Sequence, residues 1–567
     1  MHGPEVSIDS IPIHPLSPTT SKLEREFTLL EREILHHVFK LETGWAVVRG
    51  LHAYDGYLSI IDRVDTDAWV VAAQRLLETL ESFDTRALPS GRQVDLQTLR
   101  LRLERNIFYL VDYPSPDFSP FEYLFPIQLT EYVSREYSPV RHRAEAVVRQ
   151  LRLTPHFLHT GLSRLKGPLP RPFVTLGLDI LKGLPQHFEE GVAFVSNSAP
   201  DLLADAKTHK ETVISVLEDF RLHLERELPR SDNSFALGSK RFQRLLWVQD
   251  GLTMSWQSLL EEGQNDLRKN QARMAELARI MNSGGSVEKA INSLTDDTPT
   301  AASLLDEARS FVRELREFVV QKDLASLPDD TPCRVEESPP VDRAFAVASM
   351  RSPGPFEKGA AEASYRITLP DPTEEGEKQQ QWLRSLNRPI LKNITAHEVY
   401  PGHYLQFQHS RMTEATPTKN AFPSGTFSEG WGHYAEQLVI EQGFGAGNPR
   451  QEIAQLQDAL LRDCRLLASV AMHAQGATLE EATRIFVREA YMDPFPAERE
   501  ARRGTFNPSY YMYTLGKLHI LEARRAYFER KPKGTLHHFH DRILSQSAPP
   551  VGLVKALALG EDLTIGQ

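Results

Sequence analysis

Between about Lys22 and Phe318, apolar residues return at three- and four-residue steps in one stretch after another. That period commits this half of the chain to amphipathic helices. LEREFTLLEREILHHVFKL, DAWVVAAQRLLETLESF, LQTLRLRLERNIFYLVDY and KETVISVLEDFRLHLERELP all carry it. QARMAELARIMNSGGSVEKAINSL reads as a helix stopped by a glycine pair and then restarted. No fixed-length repeat accompanies the pattern, so a regular solenoid is not expected.

At 567 residues the chain exceeds what one growing core supports, and two or more lobes are expected. Residues 1–20 carry four prolines and read as an extended leader. Residues 21–325 form the expected helical N-terminal lobe. Residues 326–343, rich in proline and acid, read as a linker. The remaining lobe, 344–567, begins with FAVASM and ASYRITL, the best strand candidates in the chain. TEEGEKQQQ follows as a solvated charged turn, and helices return after Trp382. The expected fold class is mostly α, with one small sheet placed just before the residues that carry the chemistry.

Composition narrows the partners. A formal charge of −11 is mild at this length and gives no basic face for nucleic acid. No apolar run approaches the roughly 18 residues needed to span a bilayer, so no membrane partner is expected. MHGPEVSIDSIPIHPLSP has neither the basic nor the apolar region of a secretory signal, and a cytoplasmic address is the expectation. The two cysteines, Cys333 and Cys464, exclude a disulfide framework and a cysteine-rich zinc site. A metal would have to be held by histidines and carboxylates.

ITAHEVYPGHYLQFQH supplies a candidate. In the zinc motif H-E-x-x-H two histidines share one helix face, and the glutamate between them serves as general base. Here His397-Glu398 is followed by His403, six positions on rather than four. Six residues of regular helix turn through about 600°, leaving the side chains about 120° apart. Pro401 and Gly402 offer the remedy: a two-residue bulge inside the helix would restore the shared face. Read blandly, a helix simply ends at Tyr400 and the histidines are incidental. That reading loses ground because TFSEGWGHYAEQL follows, placing Glu429, His433 and Glu436 on a second helix. Two histidines and one carboxylate, with a fourth position open, make a catalytic zinc set. Glu429 is chosen over Glu436 as the third ligand. His433 stands where an orienting partner belongs, and Glu436 is placed behind the ligands or left without a role. Gly430 and Gly432 would allow close helix approach.

At these residues the chain resembles the "domain of unknown function 885" family. H-E-x-x-P-G-H is matched by His397 to His403, and E-G-W-x-x-Y-x-E by Glu429, Gly430, Trp431, Tyr434 and Glu436. The likeness extends from about residue 340 to 560, through Pro508, Tyr513 and Gly516 and a closing segment at Phe539 to Leu544. NPSYYMYTLG departs from the family's usual P-G-Q-A-x-S-Y-x-x-G, which puts an individual substrate pocket in view. The resemblance implies a glutamate-zincin metallopeptidase-like protein. It also implies a two-lobed helical fold with a substrate groove and a short sheet next to the metal site.

Amide hydrolysis at such a site needs one zinc ion, a base, a donor for the developing oxyanion and a grip on the substrate. His397, His403 and Glu429 supply the ligands, and Glu398 the base. Tyr513 is the donor chosen, with Tyr510 and Tyr511 as rivals on a segment that also reads as aromatic packing. Arg499, Arg502 and Arg503 could hold a substrate carboxylate, although EREARR also reads as a solvated helix face. Lys517 calls for the same caution. Trp431 and Tyr434 are read as core, and His409 and His537 to His540 as structural. The leading function is hydrolysis of peptide or amide bonds in a small peptide or amino-acid-derived substrate. Its rivals are a metal-dependent, non-hydrolytic step in a small-molecule pathway, and a helical scaffold with a relic motif. Oligomeric state is not legible.

Overall fold

In the computed structural model, residues 4–281, 284–339, 347–357, 362–412, 415–561 and 563 are described. The chain is mostly helical with one three-stranded sheet, and it divides into two compact units. The first comprises Met1–Ala236, Pro353–Ala361 and Thr416–Phe422; the second comprises Leu237–Ser352, Glu362–Ala415 and Pro423–Gln567.

Helices of the first unit follow the periodic stretches. Lys22–Leu41 is capped by Ser21, whose side chain accepts the Glu24 N–H, and it buries Phe27, Ile34, Leu35, Val38 and Phe39. Three long helices, Val140–Arg164, Arg171–Ser198 and Leu203–Glu227, pack on one another around the same core. The leader is not a free arm. Ile11 is buried, and Arg32 bonds both the Ile11 carbonyl (3.1 Å) and Asp9 (2.9 Å). Ile11 and the partly buried Val6, isolated apolar residues in this segment, pack on the core, a signal too short to read as structure. Residues 1–3 of that leader lie outside the described residues.

The second unit starts well before the expected linker. The helix Trp256–Ile280 packs on Pro449–Gln475, with Gly263 facing Leu466 so closely that an added Cβ would stand 2.4 Å from it. Residues 237–325, expected in the N-terminal lobe, therefore belong to the second unit. Part of the expected linker is a strand: β1 (Arg334–Glu337) pairs in parallel with β3 (Ser364–Ile367). On the other side of β3 lies β2 (Ala348–Arg351), antiparallel, giving the order β1-β3-β2. All four residues of the central strand are buried. Phe345 and Ala346 of the first strand candidate and residues 340–343 of the linker lie outside the described residues. The charged turn after Pro372 is instead mostly helix, Gly376–Ser385, solvated on one side and anchored by buried Leu383.

Candidate metal centre

The His397 helix, Arg388–Glu398, begins at Asn387, whose side chain accepts the Ile390 N–H at 3.1 Å. It stops at Val399, whose backbone is non-helical, ahead of a cis Tyr400–Pro401 peptide. A new helix, His403–Met412, then starts with the second histidine. The expected bulge within one helix is thus a break between two helices. Its reason lies on a third helix, Gly425–Glu441, where the buried Trp431 indole donates to the carbonyls of Pro401 (2.9 Å) and Gly402 (3.2 Å). The Pro401 oxygen is satisfied there, while the Gly402 oxygen also accepts the Gln406 N–H at 3.1 Å. Gly402 has no room for a side chain, since a Cβ would fall 1.8 Å from the His397 carbonyl oxygen. The break brings the imidazoles together, with ring centroids 4.6 Å apart and planes at 82°.

Glu429 closes the group. Its Oε2 lies 3.4 Å from His397 Nε2 and 3.8 Å from His403 Nε2, and one ligand atom from each residue falls within 4.8 Å of the others. Tetrahedral zinc with bonds of about 2.0–2.2 Å needs ligand atoms about 3.3–3.6 Å apart, so the set fits the ion with small adjustment. Helix contact makes this possible. A Cβ at Gly432 would stand 2.6 Å from the His397 ring, and one at Gly430 would strike the backbone of Gly516. Burial resists charge on Glu429, but the two imidazoles hold its carboxyl far below the usual range. Burial also opposes charge on His397, yet bonds to Glu429 and Glu436 outweigh it and carry the imidazole up to about 10. For Glu398 burial wins and raises the carboxyl, against both histidines and the Met350 backbone N–H of β2.

Glu436, rather than His433, bonds the His397 ring. His397 Nδ1 lies 2.6 Å from Glu436 Oε1. A carboxylate can only accept, so Nδ1 carries a hydrogen, and Nε2 is the ring nitrogen that faces Glu429. His433 is fully buried, with Nδ1 3.6 Å from Glu436 Oε2, and burial together with Lys517 pushes it down to about 3. Three residues missing from the sequence reading complete this layer. Arg462 and Asn393 donate to Glu436 Oε2 at 2.6 and 3.0 Å, and Asn393 also donates to Asp458 at 2.7 Å. A signal existed in Asn393, one turn before His397 on the same face, and in Asp458 and Arg462, two charges within a buried helix.

Tyr513 is buried, and burial plus nearby Glu429 raise its phenol. Its ring faces Arg465 at 5.0 Å and Arg462 at 5.8 Å. The rival tyrosines are engaged elsewhere: Tyr510 donates to Glu500, itself bound to Arg465, and Tyr511 donates to Asp250 at 3.3 Å. Arg502 pairs with Glu498 on the exposed helix face, whereas Arg503 lies over the Tyr510 ring at 5.5 Å. Lys517 is buried against Asp266. His540 bonds Tyr434 and the Leu324 carbonyl, His537 bonds Asp323 and Ser326, and His409 bonds the Ser326 carbonyl.

A helical chain with two buried histidines beside a partly exposed glutamate is the class that fold and site define. The chain belongs to the family described as bacterial protein of unknown function (DUF885), whose model matches residues 44–557, well beyond the stretch that carries the motifs. No curated protein is significantly similar to it. A "putative lipoprotein" of unknown function from Shewanella oneidensis has the same fold, at TM-score 0.81 and 22% identity, covering 94% of this chain and 99% of that one. A "putative lipoprotein" from Colwellia psychrerythraea matches at TM-score 0.80 and 16% identity, covering 95% and 99%. An M32 carboxypeptidase from Deinococcus radiodurans, at TM-score 0.39 and 12% identity over 96% and 97%, is too remote to bear on function. The cytoplasmic expectation is corrected by the first two, because a lipoprotein is held at a membrane by lipid. That expectation rested on a few N-terminal residues, which do not fix the compartment. No helix among the described residues is long and apolar enough to cross a membrane.

Proposed function

We propose that this chain is a zinc-dependent hydrolase of peptide or amide bonds in small peptides or related amino-acid derivatives. The observation that carries the reading is one carboxylate oxygen of Glu429 lying 3.4 and 3.8 Å from two imidazole nitrogens, with Glu398 beside the first histidine. His397, His403 and Glu429 would hold the ion, which when bound polarises the scissile carbonyl and acidifies water. Glu398 takes the proton of the attacking water. Its buried carboxyl, raised above the ordinary value, suits a base that must later return that proton to the leaving amine. Tyr513 donates to the oxygen on which charge develops. Arg503, which lies over the Tyr510 ring and not in a carboxylate pair like that of Arg502, receives an anionic substrate end.

Metal analysis of the purified chain and a chelator-sensitive assay on short peptides test the reading. Glu398→Gln should keep one zinc per chain and lose about 10²–10⁴ in kcat. A variant that keeps its activity removes Glu398 as base, and a wild-type chain that binds no divalent metal removes the reading altogether.

A further inference from the structure

The layer behind His397 holds a buried arginine on which the metal reading makes no demand. Arg462 lies on the helix Pro449–Gln475 with its side chain only 12% exposed, and it meets Glu436, whose side chain is fully buried. The two oxygens of Glu436 are divided between two tasks. Oε1 accepts from His397 Nδ1, and Oε2 accepts from Arg462 at 2.6 Å and from Asn393 at 3.0 Å. Asn393 stands one turn before His397 on the same helix, and its amide also reaches Asp458, one turn before Arg462. Three helices thus meet through one carboxylate, and Arg462 supplies the cation among those hydrogen bonds.

We infer that Arg462 is a positioning residue for metal binding: it holds Glu436 in the orientation that aims His397 Nε2 at the ion. This rests on the metal reading above and adds to it the residue that sets ligand orientation. Without the guanidinium, Oε2 keeps the Asn393 amide and the His433 imidazole at 3.6 Å, and a buried carboxylate loses the arginine that bonds it. A carboxylate free to turn no longer fixes the imidazole, and partners of this kind typically govern about 10–100-fold in metal affinity.

The test uses the full chain stripped of metal, with zinc affinity measured by competition against a chromogenic chelator. Arg462→Met should weaken zinc binding about tenfold to a hundredfold, whereas Arg462→Lys, which keeps the charge, should stay within about threefold. A double-mutant cycle separates this role from general packing. In a Glu436→Gln background, Arg462→Met should change affinity no further than about threefold. Equal losses in both backgrounds, or wild-type affinity in Arg462→Met, would overturn the inference while leaving the metal site standing. Should Arg462→Met not fold, Arg462→Gln, which keeps a donor and loses the charge, carries the same expectation. A wild-type chain that binds no metal brings down both readings together.

Discussion

Two buried arginines, one in each unit, each stand among two carboxylates, and the two clusters end differently. In the first unit Arg92 bonds Glu31 at 2.8 Å and Asp95 at 2.7 Å. The remaining oxygens are used up as well: Glu31 Oε1 accepts from the backbone and hydroxyl of Thr418, and Asp95 Oδ1 accepts from the Thr416 hydroxyl. Every carboxylate oxygen of the cluster thus has a partner within the chain. In the second unit Arg462 stands with Glu436 and Asp458, but the chain of contacts continues through His397, whose Nε2 faces Glu429. Buried charge is common to both clusters, so it does not mark function. What separates them is that the second leads to two imidazoles and a carboxylate gathered within 4.8 Å, the group proposed above to hold a metal.

The comparison breaks first at Glu429. Glu429→Gln should lower zinc affinity by more than the roughly 10–100-fold of an outer partner, with little change in the melting of the metal-free chain. A chain that still binds zinc tightly would deprive the second cluster of its proposed metal group. Arg92→Met should do the reverse. It strands two buried carboxylates and costs about 3–5 kcal/mol in chemical denaturation, leaving zinc affinity of the folded chain within twofold. A large affinity loss there would erase the distinction between the two clusters.

A smaller effect concerns His52, also in the first unit. Burial lowers its pKa, but bonds to Asp55 and Glu357 outweigh burial and raise it from 6.5 to about 9. The folded value is above the unfolded one, so the stabilisation is complete below about pH 6.5 and is lost as pH rises through about 9. The melting gap between wild type and His52→Asn should therefore be widest near pH 6 and close by pH 10; a pH-independent gap would show that the contact is not proton-linked. The smallest effect belongs to Arg502, whose one-turn pair with Glu498 is exposed on both sides. Such pairs contribute up to about 0.5 kcal/mol, and Arg502→Ala should leave kcat/KM within twofold. A tenfold loss would return Arg502 to the substrate.

Local signals were the legible ones. Lys22–Leu41 follows from a period contained in its own residues, and motifs a few positions long single out His397, His403 and Glu429, whose ligand atoms lie within 4.8 Å of one another. The manner in which the histidines meet was hidden, because the Trp431 donor that satisfies the broken turn comes from another helix. His433 and Glu436 lie four and seven positions after Glu429, both within about 40° of its face on a regular helix. Packing against His397, not spacing, chooses Glu436. β1 escaped notice because its composition is that of a linker and only a parallel partner farther along the chain makes it a strand.

The order in which the chain visits its two units bears on how it can be cut. Thr416–Phe422 belongs to the first unit, yet in sequence it falls between the helix of His403 and the helix of Glu429. A truncated protein beginning at Leu237 would carry every proposed ligand and still lack Glu31 and Asp95, on which Thr418 and Thr416 spend their hydroxyls. That half is therefore no portable cassette: the segment between His403 and Glu429, two of the three proposed ligands, is folded by residues 321 and 387 positions upstream.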